Sequence, residues 1–151
     1  MTSCPYCNKP AQLVSGDVIY PRRADLATLQ FWQCVPCRAY VGCHKAGDYI
    51  FIAGRNVISD GTLPLGRLAD ADLRLAKQMA HSAFDHFWVH ARNKGSARKR
   101  EYQWLAKALG IPVDLCHIGE FDIDQCYRVF EACESRTQAN FSNQTKQGVT
   151  L

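Results

Sequence analysis

The chain has 151 residues, a hydrophobic fraction of 47%, a charged fraction of 21% and a formal net charge of +4. This length allows one ordinary domain or two small ones, and the composition is typical of a folded soluble protein rather than a disordered one. No apolar run approaches the roughly 20 residues that a membrane span requires, so we expect no membrane partner.

The N-terminus leads directly into a cysteine pair. Only Met1-Thr2-Ser3 precedes Cys4 in the given sequence, so we expect no signal peptide. The eight cysteines of a chain without an export signal favour metal binding and buried thiols in a reducing compartment. The sequence therefore predicts a cytoplasmic protein.

Two Cys-x-x-Cys pairs, Cys4-Pro5-Tyr6-Cys7 and Cys34-Val35-Pro36-Cys37, are separated by 26 residues. Each pair aims both sulfurs at one point, and together they supply a closed, tetrahedral set of thiolates for zinc. Four free thiols or two disulfides are the alternatives, and the paired spacing in a reducing compartment disfavours both. The sequence predicts one structural Zn²⁺, with these metal ligands: Cys4, Cys7, Cys34 and Cys37.

Residues 1–54 are rich in short runs that favour β-strands, and the cysteine pairs and Gly16-Asp17 punctuate them. Alternating strands and cysteine turns are typical of a zinc ribbon. Cys43 and His44 follow the second pair closely, and either residue could replace one of the ligands. Two equivalent pairs favour the four cysteines named above, with Cys43 as a buried strand thiol.

Cations and aromatic residues alternate within this β-rich region. Arg22 and Arg23 follow Tyr20-Pro21, and a ribbon fold would bring further such residues near them: Trp32, Arg38, Tyr40 and Lys45. Such a surface binds phosphates and stacks on unpaired bases. The candidate nucleic-acid-binding residues here are Arg22, Arg23, Arg38 and Tyr40. The alternative for the aromatic residues is a small ribbon core.

The periodicity becomes helical after a loop over residues 55–66. An apolar stripe from about residue 70 to residue 91 predicts a first helix with Asp70 as its N-cap. A second helix should begin after Ser96 and end at Gly110, before Ile111-Pro112. A third should begin at Asp122, because Gln125 completes a capping box with it.

The first helix carries His81, Asp85, His86 and His90 near its end. His86 and His90 are spaced to chelate a metal, but the glutamate that follows the first histidine in zincins is Phe87 here. The four side chains lie on two opposite shoulders of the apolar stripe and do not meet at one ion. We interpret them as polar shoulders of an amphipathic helix, with His81 bonded to Asp85.

A basic stretch surrounds the start of the second helix. Residues 92–107 contain six Lys or Arg residues and one acid, whereas residues 114–134 contain six acids and one Arg. Cations at a helix N-terminus are explained if an anion such as a nucleic-acid phosphate binds there. The candidate residues are Lys94, Ser96, Arg98, Lys99 and Arg100. A solvated basic turn, or one neutralised by the acidic third helix, is the alternative.

Three further cysteines lie in the C-terminal half. Cys126 and Cys133 are two helical turns apart, about 10.5 Å along the axis, so they cannot bind the same ion. One of them could still join Cys116 and His117, but packing in the core is the better interpretation. The polar tail after Glu134 lacks periodicity and is expected to be disordered.

These elements predict an α+β fold in three parts. Residues 1–54 form a zinc ribbon of short antiparallel β-hairpins, packed against a C-terminal three-helix unit. That unit and its linker loop occupy residues 55–134, and residues 135–151 form the disordered tail.

Several motifs resemble a family of bacterial and prophage zinc-finger-containing proteins. They are CPYC, CVPCRAYVGCH, PLGRLAD, the segment from Ala80-His81 to Phe84-Asp85, and REYQWLAKALGIP followed by CHIGEFD. The resemblance implies zinc binding and a phage-like context, but no activity. The ribbon alone is similar to those appended to bacterial topoisomerases, which bind single-stranded DNA, and this is an analogy of fold.

The sequence predicts a non-enzymatic nucleic-acid-binding accessory protein with DNA or RNA as its partner. It contains no Gly-rich phosphate loop, Gly-x-Ser-x-Gly elbow or carboxylate cluster. Two alternatives remain open. One is a protein-interaction module, a phage factor that binds a host protein through the apolar or acidic face near residues 121–134. The other is a metal-dependent hydrolase that uses His81, Asp85, His86 and His90.

Overall fold

A computed structural model describes residues 2–52 and 54–147. The protein is α+β, and the chain divides into two compact units, Met1–Asp72 and Leu73–Leu151. The sequence predicts that the ribbon ends near residue 54. In the structure, residues 55–72 also belong to the N-terminal unit. Within the described residues, no helix has the length and apolar character needed to cross a membrane.

A three-stranded antiparallel sheet forms the centre of the N-terminal unit. Its strands are β1 (Gln12–Ser15), β2 (Gln30–Cys34) and β3 (Ala39–Gly42), with β2 in the middle. β2 joins the two neighbouring strands through the pairs Val14↔Phe31 and Phe31↔Gly42. These strands combine aromatic and β-branched residues, which suit a half-buried pleated surface. The sheet places the second cysteine pair in the turn between β2 and β3.

The segment Val18-Ile19-Tyr20 is not the strand that its β-branched residues favour. Helix α1 (Gly16–Ile19) forms a single turn there, and the N–H of Tyr20 donates to the Gly16 carbonyl at 2.7 Å. A Cβ atom at Gly16 would lie 1.8 Å from the Leu26 carbonyl oxygen, so the chain can approach this closely only at a glycine. The turn brings the Tyr20 ring edge-on to Phe31, with centroids 5.7 Å apart. Tertiary packing overrides local strand propensity here.

A separate hairpin pairs β4 (Tyr49–Ile52) with β5 (Arg55–Ile58). After it, the loop returns to the three-stranded sheet rather than leaving the unit. Backbone hydrogen bonds of 3.0 and 3.1 Å join Tyr40 and Ala69 in both directions, and Leu68 is fully buried beside them. These contacts explain why the predicted linker is part of the N-terminal unit.

Three long helices form the described part of the C-terminal unit. They are α2 (Ala71–Asp85), whose first residues lie before the division between units, α3 (Lys94–Leu109) and α4 (Ile123–Gln147). The predicted capping box at the start of α4 is confirmed, since Gln125 donates its N–H to the Asp122 carboxylate at 2.8 Å while its side chain accepts from the Asp122 N–H at 3.0 Å. Gly110 ends α3 in the left-handed conformation, with a φ of 67°.

α2 ends at Asp85, six residues earlier than the periodicity predicts. The N–H of Trp88 bonds to the Asp85 carbonyl at 3.1 Å, a tighter turn than an α-helix makes. The Trp88 indole N–H also donates to the Asp85 carboxylate at 3.1 Å. Phe87 then packs on Trp104, with ring centroids 5.8 Å apart, instead of extending the stripe of α2.

The predicted disordered tail differs from the structure over residues 135–147, because α4 continues through them. Arg136 anchors this part of the helix to α3 through an ion pair of 2.6 Å with Glu101. Thr137 and Ser142 turn their hydroxyls back onto carbonyls one turn earlier, at 3.0 and 3.1 Å. Residues 148–151 of the predicted tail lie outside the described residues.

Candidate metal centre and nucleic-acid interface

The two cysteine turns bring four sulfur atoms together. One sulfur from each of Cys4, Cys7, Cys34 and Cys37, hereafter the four-cysteine cluster, lies within 4.8 Å of every other. The Sγ atoms of Cys7 and Cys34 are 3.7 Å apart. Four sulfurs at about 2.3 Å from a tetrahedral zinc ion lie about 3.8 Å from one another. The arrangement therefore fits that ion with little adjustment.

The two cysteine turns share one backbone feature. In each turn the residue after the second cysteine has a left-handed conformation, with a φ of 57° at Asn8 and 51° at Arg38. In the first turn, the N–H of Asn8 donates to the Cys4 carbonyl at 2.8 Å. In the second, the N–H of Arg38 donates to the Val35 carbonyl at 3.1 Å. Such backbone bonds hold the paired sulfurs on one side of each turn.

The electrostatics of the cluster favour a bound cation. The backbone N–H of Lys9 stabilises the Cys7 thiolate and lowers the pKa of Cys7 to about 7. Hydrogen bonding to the Cys7 sulfur raises the pKa of Cys37, and burial adds to this. Several thiolates in one place repel each other, and a divalent metal removes that repulsion. Four sulfur ligands in a tetrahedron select zinc over the hard cations.

The cluster packs against a small apolar core on one side, while Cys7 and Cys37 are half-buried. Cys4 and Cys34 are buried, and Ala11, Ala39 and Leu68 complete a small core around them. Trp32 packs against this core and donates its indole N–H to the Thr62 carbonyl at 2.7 Å. A tetrahedral ion held by all four sulfurs would have no position left for a reacting water.

Cys43 and His44 lie outside the cluster. The Cys43 thiol donates to the Thr62 carbonyl at 3.5 Å, and burial raises the pKa of Cys43. The backbone carbonyl of His44 accepts a bond from the Ser59 hydroxyl at 3.3 Å. In the part of the chain that the structure describes, the four-cysteine cluster is the one group of three or more metal-binding side chains. The structure therefore brings together the four cysteines that the paired spacing predicts as ligands.

The cysteines of the C-terminal unit are core residues. Cys116, Cys126 and Cys133 are each no more than 1% exposed. Burial raises the pKa of Cys116 and that of Cys133 to about 11, so both thiols stay neutral near pH 7. They pack the core, as the two-turn spacing of Cys126 and Cys133 indicates.

The histidines of the first predicted helix form no metal group among the described residues. His81 pairs with Asp85 at 3.4 Å, while the other Asp85 oxygen accepts from Trp88. The His86 ring lies 4.0 Å from the Phe87 ring, and His90 is exposed. The hydrolase alternative gains no support from this geometry.

The predicted nucleic-acid residues of the N-terminal unit have different environments. Arg22 and Arg38 are exposed. Arg23 bonds to the Asp25 carboxylate at 2.8 and 2.6 Å, which neutralises its charge. The Tyr40 hydroxyl lies 3.0 Å from that of Tyr20, and the half-buried Tyr40 ring belongs to the aromatic cluster of the sheet. Arg22, Arg38 and Lys45 are cations that this unit presents to solvent at the predicted patch.

α3 begins earlier than predicted, and its N-terminus is already capped. The Asn93 side chain accepts the Ser96 N–H at 3.1 Å, so that N–H is not available to an anion. Because α3 starts at Lys94, Arg98 to Arg100 fall in its second turn. The asparagine cap therefore occupies one of the N–H groups that the predicted anion site would use.

The cations of this stretch remain at the surface. The Arg98 guanidinium lies 5.4 Å from the ring centres of both Trp88 and Tyr102. Arg100 lies 3.5 Å from the Glu101 carboxylate and is 69% exposed. Lys94 and Lys99 are exposed and form no ion pair with another described residue. Among the described residues, no acid of α4 forms an ion pair with these cations. This differs from the alternative in which the acidic third helix neutralises the stretch.

The face of α4 proposed for a host protein is largely internal. Phe121, Cys126, Val129 and Cys133 are all buried in the helical unit. The segment therefore presents mainly its acidic side chains and Tyr127, which is 47% exposed.

Two polar residues of α3 were missed in the sequence. Gln103 and Lys107 follow Lys99 at four-residue intervals, and all three are exposed. This spacing places them on one face of a helix. The four-residue spacing of these side chains is visible in the sequence alone.

No curated protein and no solved structure was found to match the chain. A family model described as a zinc-finger-containing domain matches residues 1–136. The matched segment includes the whole four-cysteine cluster and α3. The chain therefore belongs to this family of zinc-finger-containing domains.

Proposed function

We propose that this protein is a small zinc-binding, non-enzymatic accessory protein that binds nucleic acid. One structural zinc ion is held by the four-cysteine cluster, and the observation that carries this is the separation of its sulfurs, all within 4.8 Å. The zinc ion supplies folding free energy to a unit with a small apolar core. The resemblance of its motifs to bacterial and prophage proteins supports an origin of that kind.

Exposed positive charge supports nucleic acid as the partner. Arg22 and Arg38 in the N-terminal unit, and Lys94 and Lys99 in the C-terminal unit, face solvent. The formal net charge of +4 has the sign needed for attraction to phosphates. Release of condensed counterions then drives binding, which makes the affinity depend strongly on salt.

The test is fluorescence anisotropy of the zinc-loaded chain with labelled DNA and RNA, single- and double-stranded. With three phosphate contacts, affinity for duplex DNA falls roughly 40-fold between about 50 and about 200 mM salt. The absence of salt-sensitive binding at micromolar protein would reject the proposal.

Two neighbouring arginines provide a matched pair of variants. Arg22→Ser lowers the slope of log affinity against log salt by about 1, since Arg22 is exposed. Arg23→Ser removes the same formal charge but changes the slope little, because Asp25 already holds the Arg23 guanidinium. Equal effects of the two substitutions would show that net charge, rather than this surface, governs binding.

A further inference from the structure

The outward face of α3 is polar, basic and exposed along most of the helix. At 3.6 residues per turn, its members fall within an arc of about 100°. The opposite side of the helix carries the buried residues Glu101, Leu105 and Leu109. The outward face consists of Ser96, Lys99, Arg100, Gln103 and Lys107, all of which are exposed.

The charge of this face is uncompensated. It carries three cations and no acid. In the described residues, its one ion pair joins Arg100 to Glu101 at 3.5 Å, and Glu101 is shared with Arg136, which is closer at 2.6 Å. Among the described residues, no acid of α4 forms an ion pair with a residue of α3. Arg136 of α4 pairs with Glu101, and the Arg128 guanidinium donates to the Leu109 carbonyl.

We propose that this outward face of α3 lies in the major groove of double-stranded DNA. The inference rests on the proposed nucleic-acid binding and names its substrate class. The B-form major groove, about 12 Å wide, admits an α-helix. From Ser96 to Lys107 the face is about 16 Å long, which spans about five base pairs.

The residue types of the face match the parts of a groove. Lys99 and Arg100 lie at the two edges of the arc and Lys107 lies at the C-terminal end of the face, and all three contact phosphates. Gln103 lies at the centre, and its amide can donate to and accept from one adenine edge. The deep, narrow major groove of duplex RNA excludes a helix. Single strands are bound through stacking on aromatic rings, and this face has none.

The first experiment compares a short DNA duplex, the same duplex in RNA and single-stranded DNA, each titrated with the zinc-loaded full chain. The DNA duplex is expected to bind at least about tenfold more tightly than either competitor. Equal or tighter binding of RNA or single strands overturns the α3 inference while the proposed function stands. Failure to bind any of the three overturns both.

The second experiment locates the interface. The double variant Lys99→Ala/Lys107→Ala should lower the salt slope by about 2 and weaken duplex binding roughly 60-fold near 0.1 M salt. The control Lys9→Ala/Arg55→Ala removes the same charge from exposed positions in the N-terminal unit. An equal loss in both variants would place the interface elsewhere.

Gln103→Ala tests base reading separately from affinity. Selection from a pool of randomised duplexes should yield an adenine-containing preference with the native chain, and this preference should disappear in the variant. The salt slope should not change, because Gln103 carries no charge. Identical selected sequences from both proteins would contradict a role for Gln103 in the groove.

Discussion

Arg136 should stabilise the C-terminal unit although it lies in a segment whose sequence suggests disorder. Its guanidinium lies 4.2 Å from the Phe87 ring centre and 4.3 Å from that of Trp104. It also bonds to the Glu101 carboxylate at 2.6 Å. Glu101 is 5% exposed, so substitution Arg136→Ala leaves a buried carboxylate whose remaining ion-pair partner among the described residues is Arg100, at 3.5 Å.

Removal of one partner from a buried ion pair costs about 3–5 kcal/mol. The Arg136 side chain is 29% exposed, which places the expected loss at the lower end, about 3 kcal/mol. In a unit of this size, such a loss lowers Tm by roughly 15 °C. Urea unfolding followed by tryptophan fluorescence measures it, since Trp104 contacts the substituted side chain.

Two further variants make the result specific to the ion pair. Lys99→Ala removes an exposed cation from α3 and should change the free energy of unfolding by less than about 0.5 kcal/mol. The double variant Glu101→Leu/Arg136→Met removes both buried charges and should recover much of the loss. If Arg136→Ala unfolds at the same urea concentration as Lys99→Ala, the contacts of the Arg136 side chain contribute nothing to stability and this reasoning is wrong.

Three other predictions follow from the cysteine and glycine positions. Cys37→Ser should lose bound zinc, whereas Cys43→Ser should keep it, as measured by metal content after gel filtration; loss in both would bring Cys43 into the ligand set. Gly16→Ala should destabilise the N-terminal unit by more than about 1 kcal/mol in thermal unfolding, because its Cβ would lie 1.8 Å from a carbonyl oxygen. Burial raises the pKa of Cys116 and Cys133 to about 11 from an ordinary value of 9, so both thiols bind protons more tightly in the folded state. Stability should hold below about pH 9 and fall as the pH approaches 11, and constant stability there would contradict this.

The four-cysteine cluster could be predicted from the sequence because its determinants are local. Each Cys-x-x-Cys pair fixes its own turn, and a tetrahedral metal requires two such pairs to meet. The capping box of Asp122 and Gln125 and the end of α3 at Gly110 are also set by residues within one turn. In such places the local preference and the tertiary structure agree.

The remaining features depend on contacts that are distant in sequence. Val18 and Ile19 favour a strand, but they lie in a helical turn because the Tyr20 ring packs on Phe31. The continuation of α4 past Glu134 depends on Glu101, which is 35 residues away from Arg136. No local pattern reports either contact.

The candidate nucleic-acid surface was predicted only in part for the same reason. Asp25, two residues from Arg23, occupies that guanidinium, and Asn93 occupies the helix end that was assigned to an anion. Counting cations in the sequence does not show which of them already have partners. The structure shows which cations have partners. We therefore propose the outward face of α3, rather than its N-terminus, as the basic surface.

X-ray absorption at the zinc edge of the purified native chain tests the central claim most directly. One zinc ion per chain, with four sulfur neighbours at about 2.3 Å and no nitrogen or oxygen neighbour, is the expected result. A nitrogen or oxygen atom among the nearest neighbours would contradict the four-cysteine site. A metal-free chain that keeps a folded, protease-resistant N-terminal unit would contradict the structural role of zinc.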